Sequence, residues 1–231
     1  MQKIVSAKFA AGVSLALLSA AANAELTGNA GVVSEYLFRG VESSNGAAVQ
    51  GGVDWGHASG FSAGAWGSNT FNGGSGNELD VYGGYNFQLG DFALEAGAIY
   101  YYFSEDDENG VPDTSYPEVY VGAALVPIFL RAYYTDDFYG SDGDGTYLMG
   151  SYVGSITDTL TISLQAGVSG GNGVDSFYGE AYTDYSISLV KALDDDSSVS
   201  FSYVGSDLET GGRVDDPAFV IGFKKAFAID L

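Results

Sequence analysis

Acidic side chains recur along the chain at the polar positions of segments in which every second residue is apolar or aromatic. They are Asp54, Glu78, Asp80, Glu95, Glu118, Glu180 and Asp184, and the nearby bases are chiefly Arg131 and Lys224, with Arg39 near the end of an earlier segment. Carboxylates confined in a narrow passage attract cations, and an arginine among them narrows it. If the arginines pair with the carboxylates, the same groups form a structural plug instead. Both interpretations stay open from the sequence.

A second group of acids lies in the long connections between the alternating segments, and these long connections hold half of all the acidic residues. Within it, the run Asp142-Gly143-Asp144-Gly145 has the spacing of half a calcium loop but lacks the later ligands. One interpretation is that loop-bound Ca²⁺ or Mg²⁺ bridges these carboxylates to one another or to lipopolysaccharide phosphates. The alternative is that the charges only keep solvated loops soluble. No other cofactor is indicated.

Composition excludes several other classes of function. The chain has 8 basic and 30 acidic residues, a net charge of −22, so it repels phosphate and we expect no nucleic-acid partner. It has a single histidine, His57, and no cysteine, so a metal or nucleophilic site at that position lacks partners. The sequence therefore predicts a protein that is not an enzyme.

Alternation of apolar and polar residues with a period of two predicts strands throughout. In 78–88, for example, Leu79, Val81 and Phe87 share one face, whereas Glu78 and Asp80 share the other. Twelve such segments are predicted, at 26–38, 47–56, 60–69, 78–88, 92–103, 117–125, 128–136, 146–154, 159–168, 178–191, 198–205 and 218–229. Isolated carboxylates on the polar faces would be costly inside a sandwich core. A barrel with lipid outside and a polar interior accommodates them.

The connections between these segments alternate between long and short without exception. The first is long, 40–46, and the second is the short turn 57–60. Outer-membrane barrels have short periplasmic turns, long extracellular loops and an even number of strands. We therefore predict an all-β, transmembrane, up-and-down antiparallel barrel of about 12 strands, with long acidic loops outside the cell.

Large aromatic residues close to the short turns are predicted to face lipid at the membrane interface. This aromatic girdle comprises Trp55, Phe61, Tyr85, Phe87 and Phe92. In the alternating pattern, Trp66 falls on the opposite face from Trp55. We therefore expect Trp66 to point inward or to lie at the outer rim.

The first 24 residues have the features of a secretory signal peptide. Lys3 and Lys8 precede an apolar run that is too short to span a bilayer, and Ala22-Asn23-Ala24 has the small-residue pattern of a cleavage site. We therefore expect a leader at 1–24 and a single barrel domain at 25–231. No later run approaches the ~18 apolar residues of a transmembrane helix.

Several short glycine-aromatic motifs resemble those of the TorF-type porins, the Gcw_chp family. They are Ser34, Tyr36, Arg39 and Gly40; Ser59, Gly60, Phe61, Gly64, Trp66, Ser68 and Asn69; Glu78, Asp80, Tyr82, Gly84 and Tyr85; Thr135, Asp136 and Asp137; and Asp184 with Tyr185. The resemblance covers essentially the whole chain after residue 24. It implies a porin-type barrel in a Gram-negative outer membrane, with poorly defined substrates and no catalytic residues.

We therefore expect an outer-membrane, porin-like channel through which small solutes or ions diffuse passively, with some preference for cations. Outer-membrane lipids and lipopolysaccharide would surround it, and its oligomeric state is left open. The alternative is a closed, structural or adhesive barrel without a through-pore, which binds a partner or divalent cations through its acidic loops. A third hypothesis, an outer-membrane lipid enzyme, ranks last because His57 lies at the periplasmic end, away from lipid substrate.

Overall fold

A computed structural model describes residues 24–71, 76–104, 113–209 and 217–229. Twelve long antiparallel strands close into a barrel, and two short strands form a separate hairpin. In chain order the strands are β1 (Glu25–Val33), β2 (Leu37–Phe38), β3 (Val41–Glu42), β4 (Ala48–Gly56), β5 (Phe61–Thr70), β6 (Gly76–Leu89), β7 (Phe92–Phe103), β8 (Tyr116–Leu125), β9 (Ile128–Thr135), β10 (Gly145–Thr157), β11 (Leu160–Gly170), β12 (Tyr182–Ala192), β13 (Ser197–Ser206) and β14 (Ala218–Ile229). The predicted class and strand number are confirmed.

The barrel closes where β1 pairs with β14 on one side and with β4 on the other. Every other barrel strand pairs with its neighbours in the chain, so no strand edge is left open. Two predicted strands differ from the structure by four or more residues at one end, and the others by at most three. The first ends at Val33 and not at residue 38, and the tenth begins at Tyr182 and not at residue 178.

The outward face of the barrel is an apolar belt, as the alternation predicts. Val81 and Val121, for example, are 54% and 60% exposed. The inward neighbours are buried and polar: Asp80 is 7% exposed and Glu118 is 1% exposed. In water such an exposed belt would be costly, whereas hydrocarbon chains cover it without penalty. The molecule is therefore built to sit in a membrane.

The connections define two different ends of the barrel. The short-turn end carries the connections at 57–60, 90–91, 126–127, 158–159 and 193–196. Near it, Phe61, Tyr85, Phe87 and Phe92 are exposed on the outer face, and Trp55 stacks on the His57 ring at 5.9 Å. These positions are the ones predicted for the aromatic girdle.

The long-loop end has local structure of its own. The first long connection contains the β2–β3 hairpin, a later one contains a single 3₁₀ turn at Phe138–Gly140, and another contains the short helix α1 (Asn172–Tyr178). Within the described ranges, no helix has the length and apolar character needed to cross a bilayer.

Inward-facing tyrosines lie flat over glycines on neighbouring strands, which explains why glycine and tyrosine are so abundant. The Tyr82 ring crosses Gly64, where a Cβ atom would stand 2.5 Å from it, and reaches the Asp54 carboxylate at 2.6 Å. Tyr147 similarly lies over Gly167. The missing Cβ atoms create the space in which these rings lie, so the inner wall is lined by phenol groups.

We predict that Gly64→Val destabilises the barrel by about 1–3 kcal/mol, the usual cost of overpacking, because valine would displace the Tyr82 ring from Asp54. The measurement is the denaturant midpoint of the protein folded in detergent, followed by tryptophan fluorescence. Ala65→Val is the matched control, since Ala65 lies next on the same strand but on the outer face. Equal midpoints for the two variants would contradict this packing.

Candidate functional site

The charged residues of the inner wall form two layers. Glu78, Glu118 and Asp184 each lie two residues from the long-loop end of their strand, and Asp80 lies two residues deeper. Asp54, Glu95 and Arg131 lie towards the short-turn ends of β4, β7 and β9. The strand order brings together side chains that are far apart in sequence, and it places seven of the predicted lumen residues on the inner wall.

The β2–β3 hairpin folds into the lumen. Its tip is a two-residue turn in which Arg39 has φ 49° and Gly40 has φ 78°, the backbone geometry of a type I′ hairpin. At its base the hydroxyl of Ser44, which is 2% exposed, accepts a hydrogen bond from the Tyr36 amide at 2.8 Å. The hairpin starts between β1 and β4, and its tip reaches the wall on the opposite side.

The tip is held there by a bidentate ion pair between Arg39 and Glu118 on β8. Arg39 donates to the two carboxylate oxygens at 3.0 and 2.6 Å, and the Tyr101 hydroxyl donates to Glu118 Oε2 at 3.0 Å. The Arg39 and Glu118 side chains are 6% and 0% exposed. Burial makes this pair costly to break, because either partner alone would be an uncompensated charge.

Aromatic rings enclose the same guanidinium. Arg39 Cζ lies 4.2 Å from the centre of the Tyr147 ring and 5.0 Å from that of Tyr133, both on the wall. It also lies 4.7 Å from the Phe38 ring of the hairpin. These are cation–π distances. Together with Glu118, the rings give Arg39 both charge compensation and apolar contact.

Gly40 fits against the remaining part of the wall. A Cβ atom there would stand 2.8 Å from Asp184 Cβ and 2.9 Å from the Gly205 carbonyl oxygen. The tip therefore contacts β12 and β13 as well as β8, β9 and β10. The hairpin spans the lumen from one side to the other.

An apolar cluster packs the hairpin against the other long loops. The cluster comprises Tyr101, Phe103, Tyr116, Phe138, Val174, Tyr182 and Leu208, with Phe38, Val41, Ile99, Tyr139 and Tyr178 packed against it. Tyr116 is 0% exposed and Leu208 is 1% exposed, so water is excluded from the centre. In this conformation the long-loop end of the lumen is filled by side chains.

A second ion pair lies closer to the short-turn end and runs along the wall. Arg131 on β9 contacts Glu95 on β7 across Gly122, which occupies the strand between them. Its Nε donates to Glu95 at 2.5 Å and its Nη1 donates to the Tyr133 hydroxyl at 2.9 Å. The Arg131 guanidinium also lies 4.8 Å from the Tyr120 ring. Unlike Arg39, this arginine does not cross the lumen.

The other carboxylates of the inner wall have no arginine or lysine in salt-bridge contact within the described ranges. Asp54 accepts from Tyr82 at 2.6 Å and Asp184 accepts from Tyr147 at 3.1 Å. Glu78 accepts from the Tyr36 hydroxyl at 3.3 Å, and Asp80 Oδ1 is buried without a hydrogen bond. Three of these four carboxylates are thus held by tyrosine hydroxyls, and none of the four by a salt bridge within the described ranges.

Tyr36 links the hairpin to this uncompensated charge. Burial and the charges of Glu78 and Asp80 raise the pKa of the Tyr36 phenol well above its ordinary value. The hydroxyl consequently stays protonated and can donate to Glu78. Trp66, which packs edge-on against Tyr36 at 5.5 Å, points inward beside Asp80.

Three predicted site residues lie outside the lumen wall. Glu180 precedes β12, and its carboxylate accepts from the Glu209 amide at 3.0 Å, so its predicted place on a strand is wrong. Asp144 accepts from the Asn172 amide at 3.2 Å at the start of α1, and the Asp142 amide donates to Asp137 at 2.9 Å. These contacts order the loops.

No cluster of three or more histidine, cysteine or acidic side chains that could hold a metal ion occurs in the ranges the structure describes. Several loop acids that the divalent-cation interpretation included, in 105–112 and 210–216, fall outside those ranges.

Comparison with known proteins agrees with this architecture. A family model described as "Bacterial protein of unknown function (Gcw_chp)" matches residues 18–227. The solved structure of the NanC porin covers 89% of this chain and 100% of its own, with 14% identity and a TM-score of 0.58. The KdgM porin, solved in complex with disordered oligogalacturonate, covers 90% of this chain and 99% of its own, with 9% identity and a TM-score of 0.53. No curated protein matches the sequence. At these identities the likeness establishes the fold, which is the outer-membrane class that the sequence predicts.

Proposed function

Since this chain belongs to the Gcw_chp family and has a porin fold, we propose that it is an outer-membrane channel for the passive diffusion of small solutes or ions, with a preference for cations. The observation that carries the proposal is the charge of the inner wall. Among the described residues, Asp54, Glu78, Asp80 and Asp184 face inward without a salt bridge, and the inward-directed Arg39 and Arg131 are already paired. Lys224, near Asp54, is a further inward base in this part of the chain. Net negative charge in a confined passage concentrates cations and excludes anions.

The charge of the lumen also argues against an acidic substrate. The KdgM porin was solved with oligogalacturonate, a chain of carboxylated sugars. Such a polyanion would meet four carboxylates that have no salt bridge in the described part of the chain, and their repulsion opposes its entry. We therefore propose cations or small neutral solutes as the permeants of this protein.

The proposal predicts a cation-selective reversal potential for the purified protein in a planar bilayer under a KCl gradient. Replacing Glu78 and Asp80 by Gln and Asn is expected to reduce that preference, because it removes two of the four unpaired carboxylates from the wall. Glu180→Gln is the control, since Glu180 lies outside the wall and its loss should leave selectivity unchanged. An anion-selective wild type would contradict the role assigned to the carboxylates.

A second candidate function is a closed barrel without a through-path. It is favoured by the hairpin that crosses the lumen and by the apolar cluster above it. In that case the folded wild type gives no current steps in any salt. Current steps from the wild type would reject this function, whereas steps only from a variant that lacks the Arg39 ion pair would show that the hairpin closes the barrel.

We propose no catalytic role. His57 Nδ1 lies 2.7 Å from the Ser59 hydroxyl, but both residues are exposed in a short turn. Asp54, the acid nearest to His57 in the chain, accepts a hydrogen bond from Tyr82 on the inner wall instead. Esterase activity that is lost in His57→Ala would contradict this assignment.

A further inference from the structure

We propose that the lumen wall contains a binding site for guanidinium-bearing solutes and that Arg39 is its built-in occupant. The site consists of Glu118, Tyr101, Tyr133 and Tyr147, which together hold the Arg39 guanidinium. Entry of a solute from the membrane exterior rests on the proposed channel function, whereas binding itself does not.

All four residues of the site belong to the barrel and none belongs to the hairpin. Tyr101 lies on β7, Glu118 on β8, Tyr133 on β9 and Tyr147 on β10, so four adjacent strands present them from one side. Tyr133 pairs directly with Tyr147 across β9 and β10. Hydrogen bonding between these strands fixes the four positions whether or not the hairpin is seated.

The geometry selects a guanidinium over other cations. Glu118 receives two separate donors at 3.0 and 2.6 Å, the fork arrangement that a planar guanidinium supplies and a point-charge ammonium does not. The Tyr101 hydroxyl, which donates at 3.0 Å, orients the carboxylate. The rings of Tyr133 and Tyr147 offer faces for a delocalised cation.

The occupant is held by side-chain contacts and not by the strand pairing of the barrel. The hairpin has only two residue pairs of its own, and its strands form a sheet separate from the barrel. Departure of its tip therefore costs the Arg39–Glu118 pair and the packing of Phe38 and Val41, but no barrel hydrogen bond between strands. The departure would leave Glu118 without a compensating charge, which strongly favours the entry of another cation.

The test uses the Arg39→Ala protein folded in detergent, with L-arginine as the probe and L-lysine as the matched amino acid. We expect saturable binding of L-arginine in isothermal titration calorimetry, at least tenfold tighter than that of L-lysine. The wild type should bind neither at the same concentrations, because Arg39 occupies the site. The double variant Arg39→Ala/Glu118→Gln should lose the binding.

Arg39→Met is the second variant, since methionine keeps apolar contact with the rings but carries no charge. A heat-modifiable gel shift establishes that each barrel is folded. Binding that is absent from both folded variants, or unchanged by Glu118→Gln, would overturn the inference. Arginine binding without any current would support the site and reject the channel, whereas current without arginine binding would do the reverse.

Discussion

Replacing Arg39 with alanine is expected to raise the single-channel conductance of the barrel several-fold. Arg39 is the contact by which the hairpin tip is fixed to the far wall, through two hydrogen bonds to Glu118 and two wall aromatic rings. Without the guanidinium, the tip loses its charged anchor and Glu118 is free to attract water. The hairpin then samples positions outside the lumen, and the cross-section available to ions increases.

The measurement is the amplitude of current steps in a planar bilayer at fixed KCl concentration. Arg131→Ala is the matched control, because Arg131 also pairs with a carboxylate but runs along the wall to Glu95. Its removal should change selectivity more than amplitude. Equal amplitudes for wild type and Arg39→Ala, with both proteins conducting, would show that the hairpin does not limit the passage.

The substitution Leu164→Arg is expected to destabilise the folded protein by about 2–4 kcal/mol. This is the cost of placing an arginine on the lipid face near the midplane of a bilayer. Leu164 lies near the middle of β11 and is 39% exposed on the outer face. The same substitution at the next residue, Gln165→Arg, places the charge inside the lumen near Asp184. We expect that variant to lose much less stability.

The two variants are compared by reversible unfolding in lipid vesicles, with the free energy of unfolding as the readout. The pair differs by one position in the chain, so strand propensity and local sequence are nearly matched. Similar losses at both positions would mean that the outer face does not contact hydrocarbon. That result would remove the basis for every assignment of a residue to the inner wall.

Most of the barrel was predictable because a strand with one face in lipid and the other in a polar lumen must alternate. The predicted strands at 92–103 and 218–229 match β7 and β14 to the residue. Alternation also assigns Glu78, Asp80 and Glu118 to the inner face, since it is a local property of each strand. It carries no information about which inward side chains meet across the lumen.

The inward hairpin was missed because its sequence continues the pattern of the first strand. Tyr36, Leu37 and Phe38 continue the apolar and aromatic character of the segment, so the predicted strand ran to residue 38, whereas β1 ends at Val33. The signal that could have found it is Arg39-Gly40 between the pairs Leu37-Phe38 and Val41-Glu42. A glycine in a two-residue turn indicates a tight hairpin. The partner of Arg39 lies 79 residues away, which no local pattern reveals.

Glu180 was misplaced for a related reason. The segment 172–178 forms a helix of only seven residues, too short to show helical periodicity in the sequence. Its aromatic residues Phe177 and Tyr178 pack on Tyr139 and Tyr182 and not on lipid. Tertiary packing at the long-loop end therefore determines the local structure. Glu180, which follows the helix, consequently lies in a loop and not on a strand.

The hairpin tip depends on closure of the barrel for its complete set of contacts. The tip contacts Glu118, Tyr147, Asp184 and Gly205, which belong to four strands that all follow it in the chain. These strands present a common concave surface only once the sheet has curled nearly shut, with β14 brought to β1. An open sheet would therefore lack part of this contact set, and only the closed barrel brings all four strands to the hairpin tip.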